Sequence, residues 1–168
     1  MLHGPPGVGK HTIGQSLAVR LGYEYLSSHR AMEEAGALLG WGTQPFLRVR
    51  DAWLAAMQGA VLASPIRGLV WATIFEPTVD LDGWNQFLDA CDEPLVIDLR
   101  VAAHEHAQRL ASSERRARGK SGTIDDIGPL VERGEFTLPR VAASVLVIET
   151  TDLTPDEAVD VIAARVAS

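Results

Sequence analysis

Gly4-Pro5-Pro6-Gly7-Val8-Gly9-Lys10 is the segment of this chain whose residue types and spacing point most directly to chemistry. Glycines let a backbone wrap closely round an anion, successive N–H groups then aim at it, and a lysine placed directly afterwards adds a mobile positive charge. If a strand precedes this loop and a helix follows, the helix N-terminus points at the same spot. The chemistry is the capture of nucleotide phosphates; the plain alternative is a glycine-rich turn that only joins strand to helix.

The spacing Gly4-x-x-x-x-Gly9-Lys10 is that of a Walker A loop, with one departure. His11 stands where the strict pattern has the Ser or Thr whose hydroxyl touches magnesium, and Thr12 comes one residue later. Thr12 is therefore the expected metal-side hydroxyl, and His11 weakens the case for direct ligation more than the case for nucleotide. A strand-end acid is expected to hold the metal or its water, and Glu76 and Asp98 both qualify. Glu76 is preferred because it follows an apolar run at the carboxyl edge of the sheet, although an ordinary loop carboxylate would look the same. Asp98, flanked by Ile97 and Leu99, is expected to pair with Arg100 or a loop backbone.

The elements that must position these residues alternate along the chain. Met1-Leu2-His3 ends a first strand, His11 to Leu21 has helical spacing closed by Gly22, and Tyr23 to Ser27 is a second strand. Helices follow over Arg30 to Leu39 and Pro45 to Leu62. Gly68 to Phe75 and Leu95 to Leu99 read as buried strands, Val101 to Leu110 as a helix, Ala111 to Thr123 as a basic loop, and Ser144 to Glu149 as the last strand. Thr154-Pro155-Asp156-Glu157 carries the signals of a capped closing helix. This order predicts one α/β domain over 1–168, three layers around a parallel sheet of about five strands. Only three residues precede the loop, where a strand usually has about five to six, so either the strand is short or the natural chain begins upstream of Met1.

Charge narrows the partners. A net charge of -7 opposes the clustered Lys and Arg that nucleic-acid binding needs, so no nucleic acid is expected. No stretch approaches the roughly 18 apolar residues of a membrane helix, which argues against a membrane role. The single Cys91 makes no internal disulfide and no signal-peptide pattern opens the chain; both favour a reducing cytoplasm. Arg48 and Arg50 are candidates for an anionic substrate, but residues two apart on a helix diverge by about 200°, so they face different ways. The same geometry removes His104-Glu105-His106 as a metal pair. Trp41, Trp53, Trp71 and Trp84 read as packing.

The loop, the run Leu21-Gly22-Tyr23-Glu24-Tyr25-Leu26, the unit from Leu95 to Lys120 and the segment Ile148 to Glu157 together resemble the shikimate kinase-like and adenylate kinase-like P-loop small-molecule kinases, including kinase-like ATPases of unassigned substrate. The Gly-Lys-x-Thr order is similar to that of adenylate kinases. The resemblance implies ATP and Mg2+ as cofactors, a helical substrate cover near 30–62 and a basic lid near 109–123 whose Arg115 and Arg118 meet the transferring phosphoryl group, with Arg109 as a helix-borne contact; a solvated charge run is the alternative. It implies that Thr150 to Leu153, with Thr151 and Asp152 at its centre, borders the adenine. Where the shikimate kinase-like proteins carry acids after the second strand, this chain has Ser27-Ser28-His29-Arg30. His29 is then a base for the acceptor hydroxyl, a hydrogen-bonding group, or a helix cap. The expected activity is ATP-dependent phosphotransfer to an unidentified small-molecule acceptor, with a regulatory nucleotide-binding NTPase as the alternative. The absence of Asn-Lys-x-Asp favours ATP over GTP.

Overall fold

Parallel pairing needs a crossover between strands, and the amphipathic segments that alternate with the apolar runs supply it. In the computed structural model, which describes residues 1–112 and 124–166, the strands are β1 (Leu2–His3), β2 (Glu24–Ser27), β3 (Leu69–Ala72), β4 (Leu95–Arg100) and β5 (Ser144–Glu149). They form one sheet in the order β2-β3-β1-β4-β5 with every pairing parallel. The described helices are α1 (Lys10–Leu21), α2 (His29–Leu39), α3 (Gln44–Leu62), α4 (Leu81–Asp89), α5 (Ala103–Ala111), α6 (Ile124–Glu132) and α7 (Pro155–Val166).

β1 is short but central. Leu2 faces Ala72 on one side and Ile97 on the other, His3 faces Asp98, and neither Leu2 nor His3 has any exposed surface. The ladder continues beyond the strand, with the Ile97 N–H on the Met1 carbonyl at 2.8 Å and the Thr73 N–H on the Leu2 carbonyl at 3.0 Å.

Two cores flank the sheet. Ile13, Leu17 and Ala18 of α1 and Ala158, Val159 and Ile162 of α7 pack with Leu2, Val70, Ile97 and Ile148. On the other side Leu54 of α3 and Trp84, Phe87 and Leu88 of α4 pack with Trp71, Phe75 and Val96. Trp71 and Trp84 meet edge to face at 5.0 Å and are fully enclosed, the packing role expected of them. Trp41 is instead half exposed and lies over Gly36, where an added Cβ would come within 2.4 Å of its ring.

The closing helix has its capping box: the Thr154 hydroxyl accepts from the Glu157 N–H at 3.3 Å and the Glu157 carboxylate accepts from the Thr154 N–H at 2.8 Å. The third strand is shorter than the apolar run that predicts it, ending at Ala72. Two further helices, α4 and α6, lie outside the segments whose spacing predicts helix. α4 is signalled by Asp80, whose carboxylate accepts from the Gly83 N–H at 3.0 Å, and by Trp84, Phe87 and Leu88 on one face. α6 is obscured by Pro129 inside it.

Candidate active site

The loop Gly4 to Lys10 occupies the turn from β1 into α1, and its geometry follows from the glycines. Gly4, Gly7 and Gly9 all have positive φ, 137°, 91° and 105°. At Gly4 a Cβ would lie 2.5 Å from the Leu99 carbonyl oxygen, so the loop can leave β1 only without a side chain there. Gly9 caps α1 with no side-chain hydrogen bond, and the first turn of α1 carries no acidic residue, which leaves the positive end of the helix open to an anion. The Lys10 ammonium is folded onto the loop, donating to the Gly4 carbonyl at 2.6 Å and the Pro5 carbonyl at 2.9 Å. It is held at the rim by groups that a phosphate oxygen can replace.

Beside the loop lies a cleft of about 300 Å³ lined by Val8, Gly9, Thr12, Ile13, Glu105, Arg109, Thr150, Leu153 and Pro155. Arg109 of α5 ties its walls together. It pairs with Glu105 at 2.8 Å and donates to the Thr150 hydroxyl at 3.0 Å, the Thr150 carbonyl at 2.7 Å and the Val8 carbonyl at 3.3 Å. Of the segment expected at the base, Thr150 and Leu153 face the cleft. Thr151 and Asp152 lie outside its lining: the Thr151 hydroxyl accepts from the Ala102 N–H at 2.8 Å and donates to Glu149, and Asp152 is exposed. The Thr150 N–H ends the ladder on the Arg100 carbonyl at 2.8 Å and the Leu153 N–H turns back onto the Thr150 carbonyl at 3.3 Å, a turn that brings the two ends of the segment together.

Thr12 is on the cleft wall, while the ring of His11 turns the other way. His11 Nδ1 is 3.0 Å from the Tyr25 hydroxyl of β2, and the two rings meet edge to face at 5.7 Å. Burial pushes the Tyr25 hydroxyl above its ordinary pKa of 10.0, against a smaller opposing effect of Ser27. Among the described residues no cluster of three His, Cys, Asp or Glu side chains forms a metal cage. Magnesium commonly takes one or two protein oxygens and completes its shell with phosphates and water, and the Thr12 hydroxyl and a carboxylate such as that of Glu76 are hard oxygen donors of that kind.

The other half of the sheet's carboxyl edge is built from side chains. Glu76, beyond β3, holds Nη1 of Arg50 at 2.6 Å. Arg50 also meets Asp51 at 2.8 Å, the Thr78 hydroxyl at 2.9 Å and the Thr78 carbonyl at 2.6 Å. All three guanidinium nitrogens are engaged and only 4% of the residue is exposed, so Arg50, considered for an anionic substrate, serves the fold. Arg48 points to solvent. Asp98 pairs with Arg100 at 2.9 Å, the structural use expected of it.

His29 begins α2 at the end of β2. Its Nε2 is 2.9 Å from Glu33 Oε1, one turn on, and its side chain is 43% exposed. The cap itself is Ser28, whose hydroxyl accepts from Trp71 Nε1 at 3.2 Å. Arg115 and Arg118 lie outside the described residues. His3, the last residue of β1, is fully enclosed and stacks at a tilt on Phe75. Its Nε2 donates to the Phe136 carbonyl at 2.9 Å and its Nδ1 accepts from the Phe75 N–H at 3.1 Å. Burial lowers its pKa from 6.5; the Phe136 carbonyl opposes this, Lys10 adds to it and Asp98 opposes it.

Comparison with known proteins identifies the architecture. No protein-family model matches the sequence, and no curated protein matches it. Among solved structures, shikimate kinase from Acinetobacter baumannii in complex with shikimate superposes with a TM-score of 0.67 at 21% identity, covering 99% of this chain and 90% of that one. Shikimate kinase from Bacteroides thetaiotaomicron gives 0.64 at 17% identity, covering 99% and 97%. A gluconokinase from Sinorhizobium meliloti gives 0.63 at 14% identity, covering 99% and 93%. The five-stranded parallel sheet with flanking helices is thus the α/β fold of P-loop small-molecule kinases.

Proposed function

We propose that this chain is an ATP-dependent small-molecule phosphotransferase whose nucleotide lies on the loop Gly4 to Lys10, with its base in the cleft between Arg109, Thr150 and Leu153. The observation that carries this reading is the continuity of the open α1 N-terminus with that cleft, through Val8, Gly9 and Thr12. It gives one site an anion-binding end and a partly apolar end, the two halves of a nucleotide. The kinase fold of the structural neighbours supports phosphotransfer over simple binding.

In this reading the amides of the loop hold the β- and γ-phosphates, and Lys10 exchanges its carbonyl partners for phosphate oxygens. Thr12 and Glu76 are the groups that would hold magnesium. When bound, that ion neutralises charge on the bridging phosphates. Because the base cleft sits on the β4–β5 side of β1, the terminal phosphate is directed toward the ends of β3 and β2. His29 stands there and takes the proton of, or orients, the acceptor hydroxyl. Arg115 and Arg118 neutralise charge that develops on the transferring group.

The test is ATP consumption coupled to a phosphorylated product across a panel of small hydroxyl compounds. Lys10→Ala should reduce turnover by on the order of 100-fold or more. A chain that binds no ATP at millimolar concentration with magnesium would overturn the proposal. One observation favours a second reading, a regulatory nucleotide-binding NTPase. The segment after β2 holds Ser27, Ser28 and His29 instead of acids, and Ser28 is spent on Trp71. That reading predicts nucleotide binding with little turnover and indifference to His29→Ala.

A further inference from the structure

His106 has no place in the mechanism above, yet it is 4% exposed and reaches the phosphate loop. Its Nε2 lies 2.6 Å from the Pro6 carbonyl oxygen, a bond made across a sequence separation of 100 residues. A carbonyl acceptor requires that Nε2 carry the proton. The same helix closes over the next residue: a Cβ at Gly7 would lie 2.8 Å from Leu110 Cδ2 and 3.3 Å from His106 Nε2. α5 therefore presents two adjacent stripes, each with one-turn spacing. Glu105 and Arg109 line the cleft, while His106 and Leu110 press on Pro6 and Gly7.

The Pro6 carbonyl belongs to the same planar trans peptide unit as the Gly7 N–H, so the two groups point in opposite directions. Holding the carbonyl toward α5 turns the Gly7 N–H away from α5. Restraint on this plane through its neighbours comes from the long turn bond from the Val8 N–H to the Pro5 carbonyl at 3.3 Å; Pro5 and Pro6 have no N–H to anchor, and Gly7 has backbone freedom that other residues lack. We propose that His106 is a positioning residue of the nucleotide site, which sets the Pro6–Gly7 peptide so that the Gly7 amide is aimed before a phosphate arrives. The inference rests on the nucleotide-binding part of the proposed function and is independent of any acceptor. The gain is preorganisation: a loop already in its binding shape loses less freedom on capture.

The experiment compares the full chain with its His106→Leu and His106→Gln variants. ADP binding is measured by calorimetry, and the Gly7 and Val8 amide resonances are followed in the ligand-free protein. Loss of one oriented donor should weaken ADP by about tenfold in His106→Leu. The Gln amide can donate to the same carbonyl, so that variant should recover most of the affinity and keep the Gly7 resonance near its original position. Should the leucine variant not fold, His106→Asn, too short to reach Pro6, takes its place. Unchanged ADP affinity with unchanged Gly7 and Val8 resonances in the leucine or asparagine variant would overturn the inference and leave the function standing. An equal loss in His106→Gln would overturn it too, by showing that shape and not the hydrogen bond matters. If the unaltered chain takes up no ADP, the functional reading falls and takes this one with it.

Discussion

The two halves of the sheet's carboxyl edge are built on different principles. From β1 toward β5 the site is largely backbone: glycines with positive φ, an open helix end, and carbonyls gathered by Lys10 and Arg109. From β1 toward β2 it is side chain against side chain: Arg50 among Glu76, Asp51 and Thr78, and His29 with Glu33. Backbone surfaces recognise what every nucleotide shares, whereas side-chain sets can be exchanged one by one to suit a different acceptor. On the proposed reading the first half holds the nucleotide, and the second, where Ser27, Ser28 and His29 follow β2, meets the acceptor.

Substitutions that separate the halves can break this contrast. The largest effect on the fold is expected from Gly4→Ala, which places a Cβ 2.5 Å from the Leu99 carbonyl at a φ of 137°. It should cost about 3 kcal/mol in denaturant unfolding and abolish nucleotide binding. Arg50→Met is expected to cost about 2 kcal/mol, since it removes the buried guanidinium's bonds to Glu76, Asp51 and the Thr78 hydroxyl and carbonyl. Calorimetry with ADP in the absence of magnesium, which leaves the proposed metal role of Glu76 out of the measurement, should be nearly unaffected by it. A comparable loss of ADP affinity would show that the two halves are one cooperative unit. The smallest effect concerns His3. The fold favours its neutral ring, so below pH 6.5 the unfolded chain takes up a proton that the folded chain resists, and stability declines as the pH falls further. The decline contributed by this group should not exceed about 1.4 kcal/mol per pH unit, and His3→Asn should flatten it.

The same contrast explains what could be read without coordinates. The loop, the strand alternation and the capping box at Thr154 are local patterns, in which spacing along the chain is itself the geometry. The parallel sheet followed from the alternation of apolar runs and helical segments. What stayed hidden depends on contacts between distant residues. Arg50 finds Glu76 across 26 positions and His106 finds Pro6 across 100, and no local pattern encodes either. Helical spacing argues against His104-Glu105-His106 as a metal pair, and only the packing of α5 on the loop shows where its third residue reaches. Of Thr150 to Leu153, the segment expected to border the adenine, the outer two residues line the cleft and the middle two do not. α4 could have been found from Asp80 and the apolar spacing of Trp84, Phe87 and Leu88, which fit one helical face.

The central claim, that Gly4 to Lys10 is a working phosphate cradle, is tested most directly by titrating ATP with magnesium into the full chain and its Lys10→Ala variant by calorimetry. The account predicts one saturable site per chain, and a variant weaker by on the order of 100-fold. No heat of binding to the unaltered chain at millimolar ATP, or equal affinity in the variant, would contradict it.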